Sequence, residues 1–165
     1  MAHKAIDLYL NDHLAGAMLG TDLAEQIEEM AEGTPLENVM GEISAEIEQD
    51  RQALIDLMEA FGTSKNPIKQ IATWVAEKAS RPKFSGLTSG EPEQGLFMAI
   101  ESLTLGVGGK LSLWLALKEV EAEHPQLAEA PLDELIARAR SQQERLEAER
   151  LAAGRRALGA AAADA

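Results

Sequence analysis

Cysteine is absent from the 165 residues. That excludes disulfides, thiolate zinc sites and cysteine nucleophiles, and it makes a reducing compartment, the cytoplasm, the expected location. Basic residues are scarce beside acidic ones, 15 Lys and Arg against 28 Asp and Glu, giving a formal net charge of −13. A surplus of that sign repels phosphodiester backbones and anionic lipid, so neither nucleic acid nor a membrane is an expected partner. Aromatic residues are few: two Trp, one Tyr and three Phe. No basic stripe accompanies Trp74 or Trp114 for stacking on bases, so both are expected to pack in the interior. No uninterrupted apolar run approaches the roughly 18 to 20 residues of a bilayer span. The opening "MAHKAIDLYL" lacks the charged, apolar and small-residue order of a secretory signal.

What remains is rich in Ala, Leu and Glu, the composition of a helical protein. Apolar spacing and stop signals predict an all-α chain with four long helices over about residues 3–31, 35–61, 94–123 and 131–157. Gly33, Pro35, Gly62 and Pro125 punctuate them. The connection 62–93 contains Pro67 opening a short helix, and the glycine- and alanine-rich end 158–165 reads as a frayed tail. Residues 1–157 are therefore expected to form one domain.

The stretch "LGVGGKLSLW", residues 105–114, superficially suggests a phosphate-binding loop. A P-loop needs a glycine where Thr104 stands and a hydroxyl residue where Leu111 stands, and it follows a strand rather than helical spacing. Lys110 therefore lies within a helix. Heptad seams place Ile6, Tyr9, His13, Gly16 and Gly20 in line on the first helix, and Ile43, Ile47, Asp50, Leu54 and Leu57 on the second. Leu103, Val107, Lys110, Trp114 and Leu117 align on the third, and Leu132, Ile136, Ala139, Gln143 and Leu146 on the fourth.

Each seam thus carries one central polar residue: His13, Asp50, Lys110 or Gln143. If 62–93 crosses the bundle so that the second and third helices run parallel, the 1.5 Å rise per residue brings all four into one layer roughly 15 to 20 Å from an end. A buried ammonium needs a partner, and Asp50 is the obvious one. Glycines at 16, 20, 106, 108 and 109 weaken their helices, which calls for close approach or room for a small ligand. No nucleophile and base stand together, because Ser102 and Ser112 have no histidine in reach.

Two helical hairpins, a long crossover and a central polar layer resemble the ferritin-like four-helix bundle over about residues 4–150. "LYLNDHLAGAMLGTDLAEQI" is similar to the first helix of the small bacterial stress-linked ferritin-like proteins, and "FGTSKNPIKQIATWVAEKA" to their crossover. The resemblance implies two metal ions held by carboxylates from two helices and a Glu-x-x-His from each of the others. This chain departs from that pattern. Its literal Glu-x-x-His, Glu121 to His124, sits at a helix end beside Pro125, the first-helix carboxylate position falls at Ala17, and the third-helix one falls at or near Lys110.

The expectation is a non-catalytic ferritin-like bundle without a cofactor, with a binding, assembly or stress-related role. In it the layer His13, Asp50, Lys110 and Gln143 replaces the metal site. One alternative is an iron or manganese carboxylate protein, an oxidase or a metal store, using His13, Glu46, Asp50 and Glu101. Another is a binder of a small anion beside Lys110. The ion-pair reading requires Lys110 to point inward, the metal reading requires it to point outward, and the ligand reading requires a cavity near Gly16, Gly20 and Gly108. The mixed-charge stretch "ARARSQQERLEAERLAAGRRAL" would suit a second copy or another protein partner.

Overall fold

A computed structural model describes residues 2–63 and 91–159. They form four helices, α1 (Ala2–Met30), α2 (Pro35–Ala60), α3 (Pro92–Glu119) and α4 (Leu132–Leu158). Two short 3-10 turns, Glu121–Glu123 and Pro125–Leu127, lie between α3 and α4, so α3 ends about four residues before the sequence suggested. No strand occurs among the described residues, and the expected all-α class stands. The crossover, its short helix after Pro67, Trp74 and the tail from 160 onward lie outside the described residues.

The turns follow local chemistry. Gly33, at φ +75°, closes α1, its N–H donates 2.8 Å to the Glu37 carboxylate, and Pro35 opens α2 with a φ already suited to a first turn. At the far end of α2, Gly62 adopts φ +67°, its N–H donates to the Glu59 carbonyl, and the Thr63 N–H donates to that of Met58. This paired closure needs a residue free to enter the left-handed region. The Thr63 hydroxyl then donates 2.9 Å to Asp7, tying the end of α2 to the start of α1.

Packing fixes the topology. One half-core joins Leu10 and Leu14 of α1, Leu54 and Leu57 of α2, Leu113 and Trp114 of α3, and Leu135 and Ala139 of α4. The other joins Leu23 and Ile27, Met40 and Ile43, Ile100 and Leu103, and Leu146 and Ala153 from the same helices. The C-terminal halves of α2 and α3 thus meet, so these two helices run parallel, and each is antiparallel to its hairpin partner. The described chain leaves one end of the bundle at Thr63 and re-enters at the opposite end at Glu91. Helix α1 packs on α2 and α3, α3 packs on α4, and α2 and α4 are the most sparingly packed of the neighbouring pairs. Helices α2 and α3 therefore face each other across the bundle diagonal.

One expectation needs correcting. Helix α3 is long and apolar enough, by length and composition alone, to cross a membrane. Its interspersed glycines, Ser102 and Ser112, and the charged Glu101 and Lys110 broke the uninterrupted run sought in the sequence. Its buried side, with Ile100, Leu103, Val107, Leu113 and Leu117, is core of the bundle, while Met98, Leu105 and Leu115 are exposed.

Candidate functional site

Between the two half-cores lies a layer of charge. Asp50 is 1 % exposed and Gln142 is fully buried, the buried polar residues among those described. The Lys110 ammonium reaches across the diagonal from α3 to donate to Asp50 Oδ2, and it donates 2.5 Å to Gln142 Oε1. Arg138 donates from Nε to Asp50 Oδ1 at 2.6 Å, with its terminal nitrogen at 2.5 Å from the same oxygen. Gln142 Nε2 donates 3.0 Å to Glu46 and 3.2 Å to Asp50. A buried carboxylate is tolerated only with such complete pairing, because an ion taken out of water without partners costs several kcal/mol.

The layer continues as a ladder along α2 and α4. Arg138, Gln142 and Arg145 of α4 succeed one another on one face and meet Gln49 and Asp50, then Glu46 and Asp50, then Glu42 and Glu46 of α2. Charge and amide contacts thereby occupy the most sparingly packed seam between neighbouring helices.

Lys110 therefore points inward and pairs with Asp50, the arrangement the ion-pair reading requires. On α4 the structure places Gln142, not Gln143, against them. Gln143 turns to α3, its Nε2 3.1 Å from where a Cβ would stand on Gly108. The absent Cβ of Gly108 is thus what lets that amide approach. Sequence reasoning missed Arg138, Gln142 and Arg145. An i, i+4, i+7 row of polar residues on α4 opposite an acidic row on α2 was the available signal.

His13 stands apart from the ion cluster. It is half-buried, packs edge-on against Tyr9 with ring centroids 4.6 Å apart, and lines a cavity. Burial lowers its pKa from the ordinary 6.5, against the opposing charge of Asp12. A folded pKa below the unfolded one means that the unfolded chain takes up the proton first as pH falls through 6.5. Stability should therefore drop between pH 7.5 and pH 5.5, and drop less in His13→Gln. Urea denaturation of both proteins at the two pH values checks this; equal losses would refute it.

The cavity measures about 240 Å³ and opens beside the layer. Gly16, Ala17 and Gly20 of α1 and Gly106 and Gly109 of α3 border it, and a Cβ on any of these glycines would meet nothing within 4 Å. Ile47, Leu54, Leu103, Val107, Leu113 and Trp114 give it an apolar lining, while Asp12, His13, Asp50, Arg51 and Lys110 supply polar atoms. Room thus lies near Gly16 and Gly20 as the ligand reading requires, whereas Gly108 is occupied by Gln143. Trp114 also borders a second hollow of about 340 Å³ on the far side, toward Gln126 and Pro131. Its indole Nε1 is buried without a hydrogen-bond partner.

Burial pushes the Lys110 pKa down, with Asp50 opposing the shift. The residues of the alternative metal set are engaged separately: Glu101 receives Arg150 at 3.0 Å, Glu46 receives Arg145 and Gln142, Asp50 holds two cations, and His13 lies against Tyr9. Among the described residues no group of three or more His, Asp or Glu is placed to hold a metal ion. Glu121 pairs with Lys118 at 2.9 Å, and the His124 ring packs on Phe61. Ser102 and Ser112 donate to the carbonyls of Met98 and Gly108 in their own helix. Arg138, Arg145 and Arg150 of the mixed-charge stretch are turned toward α2 and α3, which leaves Arg140, Arg155 and Arg156 as its exposed arginines.

Compared with known protein families, with curated proteins and with solved structures, the chain shows no significant match.

Proposed function

We propose that this protein is a non-catalytic, ferritin-like binding bundle that takes up a small molecule in the cavity beside Lys110. The observation that carries the proposal is the pairing of a closed charge layer with an open apolar hollow. Asp50, Lys110, Arg138 and Gln142 pair with one another at the core, while glycines on α1 and α3 leave about 240 Å³ next to them. Close-packed interiors hold few voids larger than a water molecule, so a hollow kept open by helix-weakening glycines points to an occupant.

The up-down-down-up helix order and the central polar layer support the ferritin-like assignment. In a di-metal member, carboxylates would converge where this chain has Ala17 and Lys110. Here the Lys110 ammonium supplies the cation that Asp50 needs, and among the described residues no set of free ligands is left over for iron or manganese.

Titration with toluene, a neutral apolar probe, tests the binding reading through the amide resonances of uniformly ¹⁵N-labelled protein. Saturable shifts at Gly16, Gly20, Leu103 and Leu113 are expected, together with their loss in Gly20→Leu, whose side chain grows into the space. Shifts scattered over the surface, or shifts that persist in Gly20→Leu, would remove the cavity from consideration.

A further inference from the structure

We propose that the cavity's ligand is a small, largely apolar monocarboxylate whose carboxylate accepts a hydrogen bond from Lys110. This rests on the binding reading above and names its ligand class. Size comes first. A dry apolar cavity of about 150 Å³ accommodates benzene, so 240 Å³ admits about ten non-hydrogen atoms. Leu54, Leu103, Val107 and Leu113 offer most of those atoms only dispersion contacts and exclusion from water.

The donor capacity of the wall centres on Lys110. An ammonium carries three N–H groups. Asp50 and Gln142 take two from Lys110, and the third has no acceptor among the described residues. Trp114, four residues along the same helix and therefore on the same face, closes the wall beside the ammonium, with its own indole N–H fully enclosed. Both residues line the cavity. The remaining N–H of Lys110 fits one oxygen of a carboxylate, a charge-assisted hydrogen bond.

Charge selects the same head group. The one negative charge of Asp50 is shared between Lys110 and Arg138, and Glu46, the next carboxylate acting on the ammonium, is itself paired with Arg145. Burial already disfavours its charged form, and a second anion nearby reverses that tendency. Asp12 and Asp50 also border the space, and its other cation, Arg51, is held by Glu48, which sets the limit at one negative charge. A dicarboxylate or a phosphate would bring its second charge against them.

Octanoate and phenylacetate have the right size and charge, and octan-1-ol serves as the neutral control. The full chain carrying Trp74→Phe leaves Trp114 as its only tryptophan, so quenching or a spectral shift on titration reports the cavity directly. Octanoate should bind at least tenfold more tightly than octan-1-ol. Lys110→Met should abolish that preference while retaining octan-1-ol binding. Equal affinities for the two on the unmodified Lys110 background would overturn the carboxylate assignment while leaving the cavity reading intact, and this comparison needs no core variant to fold. If neither compound binds and toluene also leaves the cavity resonances unmoved, the binding reading falls and takes the ligand class with it.

Discussion

Asp50→Leu should lower the unfolding free energy by about 3 to 5 kcal/mol, the range found when one partner of a buried ion pair is removed. Asp50 is 1 % exposed and accepts from Lys110, Arg138 and Gln142, so its removal leaves three donors facing leucine methyls. These donors are not equally harmed. Arg138 is 30 % exposed and can turn its guanidinium to water, whereas Lys110 reaches inward from the diagonally opposite helix and Gln142 is fully buried. Most of the loss is therefore assigned to the ammonium, which must desolvate unpaired or release its proton.

In a chain of this length such a loss lowers the melting temperature by about 6 to 20 °C. The double variant Asp50→Leu/Lys110→Met should recover most of it, because a buried pair exchanged for apolar groups of similar volume is often neutral. Thermal and urea denaturation of the wild type, both single variants and the double variant make a complete cycle. A double variant no more stable than Asp50→Leu alone would show that Lys110 is not what Asp50 serves.

Trp114→Ala should cost about 3 to 5 kcal/mol, toward the upper end of that range. The cost of such a truncation depends on how far neighbours can collapse into the vacated space. Trp114 is 1 % exposed and forms the wall between hollows of about 240 and 340 Å³. Removing the indole merges them, and the surrounding Leu54, Leu57, Leu113 and Leu117 belong to rigid helical turns that cannot follow. Trp114→Phe retains most of the wall and should lose less than half as much. Urea unfolding followed by circular dichroism measures both; a Trp114→Ala loss under 1 kcal/mol would mean that the indole separates nothing.

Much of this layout was legible in the sequence, and the rest was obscured for specific reasons. Lys110 and Asp50 stood out because each interrupts an otherwise apolar seam, and helix rise placed them at one level. Parallel α2 and α3 followed from requiring that coincidence. Gln142 was exchanged for Gln143 because the two neighbours share a chemistry, and a helix rotating 3.6 residues per turn drifts from a 3.5-residue seam over the length of α4. Arg138 and Arg145 resemble any solvated helix face until the facing acidic row of α2 is placed opposite. The glycines signalled spare room, which the structure locates at positions 16, 20, 106 and 109. Position 108 instead answers a close approach. The alternative set of His13, Glu46, Asp50 and Glu101 satisfied residue type and rough height, but sequence spacing could not reveal that arginines of α4 had already claimed two of those carboxylates and shared a third.

The parallel course of α1 and α4 has a mechanical consequence. The first turn of α1 and the last turn of α4 lie at opposite ends of the bundle, because Leu10 shares a half-core with Leu135 while Ile27 shares the other with Ala153. Tension between those points is directed along the helices, so yielding requires sliding one helix past another instead of peeling one away. The Lys110 to Asp50 link, which runs across that direction, acts as a cross-pin against the slide.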